Sequence, residues 1–134
     1  MSDKVKLTKE QKAVLVAWLD EADKNNNGSV LLPIESGTSV VTNFCIVDGL
    51  PKLDTIKPIV NGKVFPINLV TMDVKTSEDK VFKSIGCNYN RSMRDIILNP
   101  EMWDKPFPAE VTNVKSQAGN YYSRVAVGTE PLEF

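Results

Sequence analysis

Residues 88–127 read NYNRSMRDIILNPEMWDKPFPAEVTNVKSQAGNYYSRVAV, and their punctuation decides the fold class. Asn90 or Ser92 can cap a short helix near 91–98, with Met93, Ile96 and Ile97 on its apolar face and Asn99-Pro100 as its stop. Two runs of β-type residues follow, 108–116 and 120–127, divided by the turn residues Gly119-Asn120. A short helix that opens onto a final hairpin belongs to a mostly β chain.

Upstream the same alternation of β runs and turns holds. Candidate strands cover 29–34, 38–47, 64–75 and 79–86. Asp48-Gly49 and Asn61-Gly62 mark turns, and 48–63, which holds Pro51 and Pro58, reads as a long loop. Several strands, one short helix and a closing hairpin match an OB-like Greek-key barrel of five to six strands, in which a helix lies between the third and fourth. A β-sandwich with one inserted helix gives a similar pattern. No repeat or domain boundary interrupts residues 1–134, so one domain is expected, with the barrel over about 29–127.

The N-terminal segment is different. Thr8-Lys9-Glu10-Gln11 forms a capping box, and Val14, Leu15, Trp18 and Ala22 recur at three- and four-residue steps. The spacing predicts an amphipathic helix over about 9–23, with Trp18 as the anchor that docks it on the barrel. The helix runs into DKNNNGSV, residues 23–30, which opens like an EF-hand calcium loop. Counted from Asp23, however, the twelfth position is Ile34 and the ninth is Leu31, and Pro33 and Gly37 oppose an exiting helix. The stretch reads as a helix stop at Asn25-Asn26-Asn27-Gly28, followed by a strand, and no metal site is expected.

Composition narrows the function. The chain has no histidine, so the commonest general base and most zinc sites are missing. No phosphate-loop, dinucleotide or nucleophile-elbow motif occurs, and no carboxylate pair stands out. The expectation is a protein that is not an enzyme and needs no cofactor. With no apolar run of about 20 residues and a polar start, MSDKVKLTKE, no membrane partner is expected and a cytoplasmic location is. Cys45 and Cys87 match no ligand spacing and read as free thiols, with Cys45 buried in its apolar run.

Within 88–127, Asn90, Ser92, Ile96, Trp103, Lys105, Val111, Val114, Gly119, Tyr122, Arg124 and Val125 resemble the C-terminal half of small phage-type OB-fold proteins that bind single-stranded DNA. The upstream VLLPIESGTSVVTNFCIV, with Gly37 and Phe44, resembles the first strand region of such proteins. The likeness spans about 100 residues and leaves out the N-terminal helix. It departs at Asp104, where those proteins often carry glycine, and at 48–63, which has no counterpart. The resemblance implies a viral DNA-replication protein in the host cytoplasm, with single-stranded DNA or RNA as ligand and replication or recombination proteins as possible partners.

Read physically, strand parity separates the faces. If Val81 and Ile85 point to the core, Phe82 falls on the outer or groove face beside Lys83. In the last strand Tyr121, Ser123, Val125 and Val127 share one face, which leaves Tyr122 and Arg124 together on the other. An aromatic ring beside a cation suits base stacking plus a phosphate contact; an edge-capping ring beside a solvated arginine is the plainer alternative. Residues 52–94 hold eight basic and four acidic side chains, with Lys80, Lys83, Arg91 and Arg94 near the third strand and short helix. Such a cluster can track phosphates or simply solvate a surface. Trp103 is expected to close the barrel bottom, and the acidic ending TEPLEF reads as a frayed terminus.

The expectation is therefore a single-stranded nucleic-acid-binding protein of low sequence specificity, with Phe82, Lys83, Arg91, Arg94, Tyr122 and Arg124 as its contacts. The alternative is a protein–protein interaction module, viral structural or host-inhibitory, on the same barrel.

Overall fold

The computed structural model describes residues 7–24, 30–115, 119 and 121–128. The Asn25–Gly28 helix stop and the TEPLEF ending lie outside them. The first helix, α1 (Lys9–Lys24), starts on the expected capping box. The Thr8 N–H donates to Gln11 Oε1 at 3.0 Å, and the Gln11 N–H donates to Thr8 Oγ1 at 3.1 Å. Its inward stripe is Leu15, Leu19 and Ala22, with Trp18 packed beside them. Val14, expected on that stripe, is exposed instead.

Ten strands follow: β1 (Gly37–Phe44), β2 (Ile46–Val47), β3 (Leu50–Pro51), β4 (Leu53–Ile56), β5 (Ile59–Val60), β6 (Lys63–Val64), β7 (Ile67–Lys75), β8 (Val81–Asn88), β9 (Phe107–Lys115) and β10 (Tyr121–Val127). Between β8 and β9 run a 3-10 turn at Arg91–Met93, the short helix α2 (Arg94–Ile97) and a second turn at Pro100–Met102. Asn90 and Asn99 cap the two turns through their side chains, as the sequence suggests for Asn90. The predicted loop 48–63 is corrected to two small ribbons, β2–β3 and β5–β6, flanking β4. Asp48, Gly49, Asn61 and Gly62 all hold positive φ, which two-residue hairpin turns require. Pro51 sits in a short ribbon, where its missing N–H breaks no central ladder.

The main sheet is antiparallel with six strands, in the order β10-β9-β1-β7-β4. β8 pairs with the other edge of β7. One edge of β7 is divided: β1 takes Met72–Lys75 and β4 takes Ile67–Val70. At the division, Thr71 bonds to Cys45 and Lys52, where the 45–66 excursion leaves and rejoins the sheet.

Opposite Asp73, both neighbours of β7 carry one extra residue. β1 skips Thr42, since Val41 faces Val74 and Asn43 faces Asp73. β8 fits Lys83 and Ser84 opposite one position, since Ile85 faces Met72 and Phe82 faces Val74. Two facing bulges bend the sheet strongly.

The sheet does not close on itself, because no ladder joins β8 to β10 among the described residues. A barrel closed by its own strands is therefore not what the sheet forms. The stretch 29–34, expected as a strand, supplies instead an irregular strap over residues 30–36, bent at Pro33, Ile34 and Ser36, that lies in this seam. Ser123 N–H donates to the Val30 carbonyl at 3.0 Å, and Asn88 grips both the N–H and the carbonyl of Val30, at 2.9 and 3.0 Å. Leu32 and Ile34 point into the core; Leu31 and Pro33 point out.

Candidate nucleic-acid interface

The bulge at Ser84 overturns the parity reading of β8. Ser84 takes a φ of +53°, so the alternation resets between Phe82 and Ile85, and both pack against the core. Val81, expected inside, is 56% exposed. Phe82 is thus an inward ring, lining the rim formed by Ser36, Ser39, Thr76 and Lys80 rather than an open groove.

Lys83 stays exposed, beside a polar cluster built on the bulges. Ser84 N–H donates to Asp73 Oδ1 at 2.8 Å, Asn43 Nδ2 to Asp73 Oδ2 at 3.2 Å, and the Cys45 thiol to Asp73 Oδ1 at 3.6 Å. The backbone bond from Ser84 is the main cause that holds the Asp73 carboxyl below its usual value; it outweighs the opposing desolvation by burial, with smaller help from Asn43, Cys45 and the nearby Lys83. Cys45 is only half-buried, contrary to expectation, because its strand ends where the excursion departs. Cys87 is enclosed, and burial pushes its thiol up to about 12.

The Asp73 arrangement sets a pH dependence. A carboxyl whose folded pKa is depressed contributes stability above its unfolded value, and that contribution is lost as pH falls through the folded value. Stability should therefore decline as pH drops below about 4. Asp73→Asn, which can still accept the Ser84 bond, should flatten part of that decline in urea titrations run at several pH values.

Arg94 is not available to a phosphate. Nη1 binds Asp23 Oδ2 at 2.8 Å and Nη2 binds Asp20 Oδ1 at 2.9 Å, so the guanidinium clamps α1. Tyr89 donates to Asp23 Oδ1 at 3.0 Å and meets the Trp18 ring edge-on. Burial first, then this bond to Asp23, push the Tyr89 phenol upward. Both Asp23 oxygens, at the opening position of the calcium-like stretch, are thus occupied. Arg94→Ala should cost about 1 kcal/mol of stability, a discounted value for a part-exposed pair, and millimolar calcium should leave the melting temperature of wild type and Asp23→Ala alike unmoved.

The β10 parity reading agrees with the structure from Tyr122 to Val125 and fails at Tyr121. Ser123 and Val125 are buried, Arg124 is exposed, and Tyr122 is half-exposed opposite Val114. Arg91 is also exposed, on the turn that abuts the other end of β10, where Val127 N–H donates to Ser92 Oγ. Tyr122 and Arg124 thus share β10, with Arg91 on the turn packed against its end, whereas Phe82 and Lys83 lie on β8 and Arg94, three residues after Arg91, is held by α1.

Two further exposed residues lie at the end of the hairpin, on the face opposite Tyr122 and Arg124. Tyr121, which parity assigns to the core face, is 58% exposed because it sits at the strand end beyond the core. Its cross-strand partner Lys115 places Nζ 5.7 Å from the ring centroid. Its place next to the Gly119-Asn120 turn was the available signal. Elsewhere the basic excess is largely spent locally: Lys75 pairs with Asp79 at 3.4 Å and Lys80 with Glu78 at 3.6 Å. Among the described residues no group of histidine, cysteine and carboxylate side chains could hold a metal ion. Nor, among the described residues, is any helix long and apolar enough to cross a membrane.

No family model, curated protein or solved structure matches this chain significantly.

Proposed function

We propose that the protein binds single-stranded nucleic acid, without catalysis and with little sequence preference, through the end of the β9–β10 hairpin. The observation that carries this reading is an aromatic ring with a cation on each face of that hairpin: Tyr122 with Arg124 on one, and the exposed Tyr121–Lys115 pair on the other. Aromatic faces stack bases of any kind, and flanking cations meet the phosphates. Five long strands with a short helix between the third and fourth also fit a partly open OB-like barrel, an architecture used for oligonucleotides. The strap across the seam stands where such a barrel would close.

Titration of Tyr and Trp fluorescence with a single strand of about 30 nucleotides, longer than the ~4–16 covered by one such barrel, tests the proposal. Tyr121→Ala and Tyr122→Ala should each weaken binding by about 1–3 kcal/mol with an unchanged salt slope. Arg124→Ala and Lys115→Ala should weaken it and lower the slope by about one unit for each lost phosphate contact. No binding at low salt would end the nucleic-acid reading.

A second reading has its own observation. Ile46, Val47, Ile56, Ile59 and Val64 are all exposed on the 45–66 excursion. A concentration of large apolar side chains on one protruding segment favours a protein–protein module. Pull-down of a defined partner that is lost in Ile59→Lys, in a chain with no affinity for oligonucleotides, would favour it over the first.

A further inference from the structure

The strap in the β8–β10 seam has the form of a bound peptide. Every polar bond that holds it uses its backbone or the Ser36 hydroxyl, and the partners come from distant strands. Asn88, on β8, grips Val30 and also donates to the Ser123 carbonyl. Leu32 N–H donates to Ser123 Oγ at 2.8 Å, and the Ser123 hydroxyl in turn donates to Asn113 Oδ1 at 2.7 Å. Asn113 Nδ2 donates to the Ile34 carbonyl at 2.9 Å, and its N–H to Ser36 Oγ at 2.9 Å. Asn88 and Ser123 are buried polar side chains whose hydrogen-bonding capacity is directed at this segment. Alternate side chains, Leu32 and Ile34, fill apolar positions, as in strand addition to a sheet edge.

Nothing in this set of bonds requires that strap and seam belong to one chain. The strap meets β1 at an open, exposed bend, Ser36–Gly37, where Gly37 holds a φ of +139° and no atom lies within 4 Å of an added Cβ. α1, which precedes the strap in sequence, is held among the described residues by side chains: the Arg94 clamp, Trp18 on Tyr89, and the Leu15, Leu19 and Ala22 stripe. The contacts of α1 and of the strap, taken together as one unit of sequence, can be remade, bond for bond, on an identical neighbour.

We propose that this unit exchanges between copies. The occupant of the seam is then the strap of a second chain, inserted through Leu32, Ile34 and the Val30 backbone, and the product is a reciprocal, strand-exchanged dimer with two-fold symmetry. Each copy carries both halves of the complementary surface, so closure at two chains satisfies every seam. The proposal does not depend on the nucleic-acid reading.

Native mass spectrometry of full-length protein provides the test. Unlabelled and isotopically heavy chains are mixed at high concentration, held just below the melting transition, then cooled. Mixed dimers are expected, persisting on dilution because separation requires the seam to open. Ile59→Lys, on the exposed excursion, should leave the dimer fraction unchanged, whereas Gly37→Ala, which strains the bend between strap and β1 in the closed monomer, should raise it several-fold. Monomers alone at every concentration would overturn the proposal. So would a dimer abolished by Ile59→Lys, which would place the contact on the apolar excursion. If the Gly37→Ala chain does not fold, the wild type and Ile59→Lys still decide.

Discussion

Trp103→Ala should lower the free energy of unfolding by about 3–5 kcal/mol. The ring is only 6% exposed and closes the end of the core beneath Phe44 and Phe107, which meet edge to face. Its Nε1–H donates to the Ile97 carbonyl at 3.0 Å, tying α2 to the turn that follows it. Its own carbonyl accepts the Phe44 N–H at 2.8 Å, tying that turn to β1. Truncation to alanine removes the ring and leaves a cavity and an unpaired carbonyl. Trp103→Phe keeps most of the volume and loses only the bond, so it should cost about 1–3 kcal/mol. Urea denaturation followed by far-ultraviolet circular dichroism gives both values; a cost under about 1 kcal/mol for the alanine variant would mean the ring is not core.

Asn88→Ala should cost about 2–4 kcal/mol, an unusually large effect for one polar side chain. Asn88 is 4% exposed and satisfies Val30 N–H, Val30 C=O and Ser123 C=O together. Its removal strips a donor from two carbonyls and an acceptor from an N–H at the seam, where no ladder substitutes. Asn88→Asp should be worse than alanine at neutral pH, because a carboxylate would face two carbonyls that it cannot serve as donor. The same urea series orders the variants, and an aspartate variant as stable as wild type would remove the seam network from this account.

These two residues show where the sequence was legible. Trp103 could be read as a core ring because a helix stop and a following strand leave one position for a large buried side chain. The caps at Thr8 and Asn90 were readable because capping is local. The faces of β10 were readable from Tyr122 to Val125 because that stretch is regular, and parity fails only at the strand's end, where Tyr121 has no core to face. Phe82 was misplaced because parity fails at a bulge, and the residue that takes left-handed φ there is Ser84, which carries no glycine signal. The ribbons in 46–64 were hidden by their prolines although both hairpin turns were visible. The strap reads as a strand because its apolar alternation is that of one, but its bonding partners lie at Asn88, Asn113 and Ser123, far away in sequence. Arg94 reads as a free cation for the same reason: Asp20 and Asp23 are more than 70 residues from it.

The divided edge of β7 has a consequence for the order in which the chain assembles. β7 and β8 form a local hairpin, as do β9 and β10, and both can close early because their loops are short. β1 joins these hairpins through pairings such as Thr38 with Glu110, 72 residues apart, and it can seat on β7 only once the 45–66 excursion has been looped out. Long-range pairing of this kind slows folding towards the millisecond-to-second range of β-rich domains. The transition state is then expected to hold a structured β7–β8 hairpin and an unformed β1. Substitutions at Val70 or Met72 should slow folding, whereas those at Val41 should mainly speed unfolding.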